Sequence, residues 1–240
     1  MFSLLNMRSV DVAPADIGAR VRIREAAVLR FARSGFTASV RTIASDAGVS
    51  PALVIHHFGS KDGLHAECDA RVLAWIAEAK RENMGKATSG GLLDVLARTD
   101  ELAPLLGYVL RSLQAGGAVG RSFVEHMIAD AVDYTAEAVE QGIVRPSRDE
   151  AARVRYLVLS TLGALLLQVT FDPPTDTEDV RAVVQKFMAE QYLPMLELFT
   201  EGFLATRRML DDYLLYVPDP PVGPDDPTTS SAPTDHEEER

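Results

Sequence analysis

The sequence predicts an all-α protein, with an N-terminal three-helix unit containing a helix-turn-helix and a larger helical body behind it. Three observations carry this. Apolar residues recur at intervals of three and four along most of the chain, and no run alternates convincingly as a strand. Residues 39–61, SVRTIASDAGVSPALVIHHFGSK, divide into two short helices about a glycine corner. The 240 residues are 47% hydrophobic, enough for a large core in one or two domains.

The elements follow in order. A helix over residues 16–33 carries Ile23, Ala27 and Phe31 on one stripe, with Arg20, Arg22, Arg24, Arg30 and Arg33 mostly outside it, and Gly35 closes it. Ser39 is a good N-cap for a helix bearing Val40, Ile43, Ala44 and Ala47. Gly48 tolerates the left-handed backbone that ends that helix, Val49 fills the corner, and Ser50 with Pro51 restarts the chain as N-cap and first helical residue. In the second helix Val54 and Phe58 are one turn apart and face inward, leaving Pro51, Ala52, Leu53, His56 and His57 as an outer surface. A helix so presented can enter a DNA major groove.

After Lys61 a long helix is expected to about residue 84, with Leu64, Cys68, Val72, Trp75, Ile76 and Ala79 at helical spacing and a break over residues 87–91. Helical spacing continues over 92–98, 102–114 and 123–141, interrupted at Asp100 and at the glycine-rich residues 116–120. Trp75, Tyr108, Phe123, Met127, Tyr134 and Tyr156 together suit the wall of an apolar cavity with polar tips; taken singly, each suits plain core packing. Ser147 and Glu150 have capping-box spacing and start a helix to residue 171. Its Leu157, Val158, Leu159, Leu162, Leu165, Leu166 and Leu167 make it apolar nearly all round, so that a second subunit is the economical cover. A further helix from Thr177 is kinked or restarted at Pro194 and runs on to about Tyr213. The proline-rich acidic tail, 217–240, has nothing to bury and is expected to be disordered. The expected divisions are an arm at 1–15, a helix-turn-helix unit at 16–61, a helical body at 62–216 and the tail.

Net charge is −11, but it is unevenly placed. Residues 1–61 hold eight Lys/Arg against four Asp/Glu, and the remainder sixteen against thirty-one. A basic N-terminal unit on an acidic body points to a nucleic-acid-binding end. Cys68 stands alone, on an apolar stripe that suits a small core residue. The most apolar stretch, 157–169, is interrupted by Ser160, Thr161 and Gln168, so no membrane partner and a cytoplasmic location are expected. Residues 116–120 lack the lysine of a phosphate-binding loop. His56 and His57 point about 100° apart on a helix and cannot chelate one metal. No cofactor, metal or enzymatic activity is expected.

Ile43-Ala44-x-x-Ala47-Gly48-Val49-Ser50, the aromatic-rich end of the next helix with Phe58, and Ser60-Lys61 resemble the TetR family of transcriptional regulators over roughly the first third of the chain. The resemblance implies that Ser39 and Arg41 touch phosphate or a base edge, that Ser50, Pro51, Ala52 and Leu53 face the bases, and that His56, His57 and Lys61 grip the backbone. Leu53 replaces the usual small hydroxyl residue and Ile55 the usual tyrosine, which shifts readout toward thymine methyls. It further implies a homodimer closed by a four-helix bundle, a palindromic double-stranded DNA operator and, most often, repression. The long helix after Lys61 would tilt when a small apolar or amphipathic effector binds the body, an effector whose identity the sequence does not give. The alternative is a DNA-binding regulator controlled by a protein partner, with no small-molecule effector.

Overall fold

A computed structural model describes residues 14–87, 99–174 and 180–216. Among these, nine helices are numbered here in order: α1 Pro14–Ser34, α2 Val40–Asp46, α3 Pro51–Phe58, α4 Lys61–Ala87, α5 Thr99–Ala115, α6 Gly117–Glu140, α7 Glu150–Phe171, α8 Val180–Thr200 and α9 Arg208–Tyr213. No strand occurs among the described residues. The helical spacing read over 92–98 and the tail from Val217 lie outside them.

The head, α1 to α3 with the start of α4, forms where local signals dictate. Ser39 accepts from the Thr42 amide at 3.1 Å and Ser50 from the Leu53 amide at 3.2 Å, so both short helices are capped. Gly48 takes φ 65°, and Val49 then donates to the Ala44 carbonyl at 2.9 Å, closing the corner. Gly63 permits a close approach: a Cβ there would sit 2.1 Å from the Phe58 carbonyl oxygen.

One continuous core joins head to body. Ile23, Phe31, Ile43, Val54, Leu64, Cys68 and Val72 are buried in the same cluster as Leu105, Tyr108, Val109 and Phe123. α1 packs on α5, α4 on α6, α5 on α8 and α6 on α7. Arg111 fastens the joint, donating from α5 to the carbonyls of Ala32 at 3.4 Å and Arg33 at 2.7 Å, which the end of α1 leaves without helical partners. Burial pushes the Cys68 thiol far up, so it stays a neutral core group.

Three expectations are corrected. The glycine-rich break is confined to Gly116 and Gly117, both at positive φ; Gly120 is helical, and a Cβ on it would meet the Ser112 carbonyl oxygen at 2.7 Å, so it brings α6 against α5. The capping box forms by half. Glu150 accepts from the Ser147 amide, but Asp149 is the N-cap, accepting from the Ala152 amide at 2.8 Å, because a carboxylate two residues nearer the helix takes the place of the Ser147 hydroxyl. Pro194 is accommodated inside α8, and the chain leaves helix at Thr200 rather than running on to Tyr213.

α7 has the length and apolar composition of a membrane-crossing helix, with a mean hydropathy of 1.6, as the apolar helix of a soluble protein also can. Three of its polar side chains are satisfied on backbone carbonyls. Thr161 donates to Leu157 O at 2.9 Å, Thr170 to Leu166 O at 2.7 Å, and Gln168 to Val183 O at 3.3 Å.

Candidate nucleic-acid interface

The second short helix of the head stands out from the domain on one face. Val54 and Phe58 are buried, while Pro51, Ala52, Ile55 and His56 are exposed, at the i, i+1, i+4, i+5 spacing of one helical stripe. Ser39, Arg41 and Ser50 are exposed beside them, and Lys61 is half-buried at the start of α4. Leu53 and His57 are placed differently from the outer surface expected: Leu53 packs partly against the core, and His57 is half-buried.

Arg20 fixes the end of the helix. Its guanidinium donates to the His57 carbonyl at 3.0 Å and to Glu67 at 2.6 Å, and lies 5.0 Å from the Phe58 ring centroid, pinning the end of α3 between α1 and α4. Ile55, 43% exposed, is the residue that reading the sequence left off the outer face. The signal was available, since Ile55 lies four residues after Pro51 and out of phase with Val54 and Phe58.

The arginines of α1 divide by task. Arg20 is committed as above, Arg24 reaches Glu25 at 3.3 Å, and Arg30 forms a two-point pair with Asp46 of α2 at 2.7 and 2.8 Å. The hydrogen bonds from Arg30 hold the Asp46 carboxyl below its ordinary value. Arg22 and Arg33 keep exposed side chains. The rings of His56 and His57 stand 5.5 Å apart and tilted, and among the described residues no cluster of His, Cys, Asp and Glu suits a metal ion.

Of the six side chains expected around an effector, Tyr108, Phe123 and Met127 share one core cluster with Trp75 packed against it, while Tyr134 is half-buried and Tyr156 exposed. Tyr108 is fully buried and its hydroxyl donates to Asp69 at 2.7 Å; the Phe123 ring lies 5.9 Å away, and Met127 is buried in the same cluster. Trp75 is half-buried, with the Arg71 guanidinium 5.1 Å from its ring. Tyr134 is half-buried on α6, where desolvation raises its hydroxyl pKa. Tyr156 points outward, 71% exposed. Tyr108 thus satisfies its polar tip inside the core, which removes the reason to read it as a cavity wall. Two cavities lie elsewhere: about 400 Å³ between head and body, and about 180 Å³ between α5 and α8.

Comparison with known proteins follows this geometry. The family model described as bacterial regulatory proteins, tetR family, matches residues 23–68, and the one described as tetracyclin repressor-like, C-terminal domain, matches 100–205. The HTH-type transcriptional regulatory protein RaaS of Mycobacterium tuberculosis is 42% identical over 201 residues, covering 83% of this chain and 93% of that protein. The chain belongs to the TetR family. It is a DNA-binding regulator of transcription and not an enzyme. A tetR-family transcriptional regulator from Streptomyces coelicolor shares the fold, with a TM-score of 0.51 and 18% identity over 85% of this chain and 92% of its own. In this TetR-family chain the N-terminal match takes in α2 and α3 whole and the cap residues Ser39 and Ser50, while the C-terminal match spans α7, the helix with the widest exposed apolar face.

Proposed function

We propose that the chain is a homodimeric repressor that binds a palindromic operator through α3 in the major groove and is released by a small apolar or amphipathic effector. The observation that carries the DNA half is the outward stripe of α3, held by two serine caps and flanked by exposed Arg41. Residues 16–61 form the reading unit: Ser50, Pro51, Ala52, Ile55 and part of Leu53 meet base edges, Ser39, Arg41, His56 and His57 meet backbone or adjacent edges, and Lys61 meets a phosphate. With apolar side chains dominating the stripe, thymine methyls are its natural contacts.

Residues 62–216 form the controlling body. α7 and α8 leave Tyr156, Leu159, Leu166, Leu167, Leu193 and Phe199 exposed, an apolar surface that a second copy covers. A dimer would set two α3 helices about 34–36 Å apart, the spacing of successive major-groove faces, or a multiple of it. Such a soluble dimer would work in the cytoplasm. A second reading, control by a protein partner, is supported by the close packing of Tyr108, Phe123 and Met127, which leaves little room for a ligand among them. Sedimentation of the purified protein with footprinting on its own upstream DNA tests the proposal. A dimer protecting a palindrome is expected; a monomer that protects no site would overturn it.

A further inference from the structure

The larger cavity lies at the joint on which control must act. Phe36 forms one wall with the fully buried Phe31 behind it, Lys61 and His65 of α4 form another, and Val119 with the corner at 115–118 borders the remainder, which is partly open to solvent. Its volume of about 400 Å³ falls in the range of small-molecule sites, roughly 300–1,000 Å³. None of the residues expected around an effector lines it.

Two kinds of chemistry meet there. Phe36 and His65, both half-buried with rings 4.1 Å apart, give an aromatic surface, and the buried Phe31 ring backs it 5.3 Å from Phe36. Positive charge faces it. Lys61 opens α4, and α6 begins behind Gly116, an N-cap with no side-chain hydrogen bond to offer, so the amides of Gly117, Ala118 and Val119 lack acceptors within their helix. Ammonium groups and uncapped helix starts both favour anions. One carboxylate, Asp62, also lines the cavity, within the first turn of α4, where that helix's own dipole offsets it. His65 Nε2 is buried without a hydrogen-bond partner among the described residues, 3.6 Å from Asp69 Oδ1.

We infer that this cavity binds a small, flat aromatic carboxylate, its ring against Phe36 and its carboxylate on Lys61 and the first turn of α6, and that occupancy withdraws Lys61 from DNA phosphate. The inference rests on the proposed phosphate contact of Lys61 and gives the effector a chemical class and a place. Coupling is then direct: the ligand and the nucleic acid compete for one ammonium group, and no cavity within the body is required.

The test is calorimetric titration of the full chain with 2-naphthoate and with the neutral 2-naphthalenemethanol, alongside binding to duplex DNA at low salt. Naphthoate should bind at least tenfold more tightly than the alcohol and should weaken DNA binding. Val119→Trp fills the cavity from a side chain already 49% exposed, so the core is not disturbed. It should weaken naphthoate binding tenfold or more, bind DNA as the wild type does, and make that binding indifferent to naphthoate. Undiminished naphthoate binding in Val119→Trp, equal binding of the alcohol, or no binding at millimolar concentration would overturn the site. If Lys61→Gln loses naphthoate affinity yet keeps the wild-type dependence of DNA binding on salt, the competition is refuted and the phosphate contact with it, while the ligand site stands.

Discussion

The head and the last three helices spend their apolar residues in opposite ways. In the head, short helices bury nearly all they have: α3 is eight residues long and leaves one large apolar side chain, Ile55, substantially exposed. α7 runs for 22 residues and buries only Val154, Leu162 and Leu165, while Tyr156 and Phe171 are exposed at 71% and 79%. α9 and the residues around it bury nothing large, with Phe203, Met209, Tyr213 and Tyr216 all exposed. The head is complete as one chain and offers DNA small, polar and isolated apolar groups, whereas the C-terminal helices leave a broad apolar face uncovered within the described chain.

The sharpest way to break that comparison is a charge on the unfinished face. Leu167→Glu should convert the proposed dimer to monomer in sedimentation equilibrium, since each copy would bury an unpaired carboxylate at a cost of about 3–5 kcal/mol. Helical content should persist, because the substituted side chain is on the outside of its own subunit. A dimer of unchanged affinity would mean that α7 is covered by something else.

In the head the same logic reverses, and a buried ring matters within one chain. Phe31→Ala should lower the free energy of unfolding by about 3–5 kcal/mol, read in urea, while Phe171→Ala in a monomeric background should change it little. Loss of the cap in Ser50→Ala should cost about 1 kcal/mol and fray the start of α3, so that DNA affinity falls with stability. Lys61→Ala should weaken binding to specific and random duplex alike and reduce the slope of log K against log salt by about one.

The smallest effect concerns the Arg30–Asp46 pair. Asp46 has a depressed carboxyl pKa, so its contribution is complete above the ordinary value of 3.8 and is lost as pH falls through the lower, folded value. Asp46→Asn should therefore cost about 0.5 kcal/mol at neutral pH, and that deficit should close on acidification below 3.8. A deficit constant from neutral to strongly acid pH would count against the ion pair.

What the sequence made legible was what neighbours in the chain decide. Ser39, Gly48, Ser50 and Pro51 act on groups within five residues, and the head they specify is the one observed. The outward place of Ile55 was legible from its phase against Val54 and Phe58, but the grip of Arg20, 37 residues away, on the His57 carbonyl was not. Ser147 lost its capping place to Asp149, a competition between two good caps that spacing alone does not rank. The tyrosines fared worst as a group. Tyr108 and Tyr156 share a residue type and a helical setting, but Asp69 of α4 completes the burial of Tyr108, and nothing comparable on the described chain meets Tyr156.

The central claim is that the exposed stripe of α3 reads DNA, and Ala52→Asp tests it most directly. Ala52 is exposed in the first turn of α3, where a carboxylate suits the helix, so folding should be unaffected while phosphate and base edges are repelled. Hydroxyl-radical footprinting of both proteins on the upstream region, with their melting temperatures matched, gives the answer. Two protected patches about 34–36 Å apart are expected for the wild type and none for Ala52→Asp. Undiminished protection of the same palindrome by Ala52→Asp would contradict it.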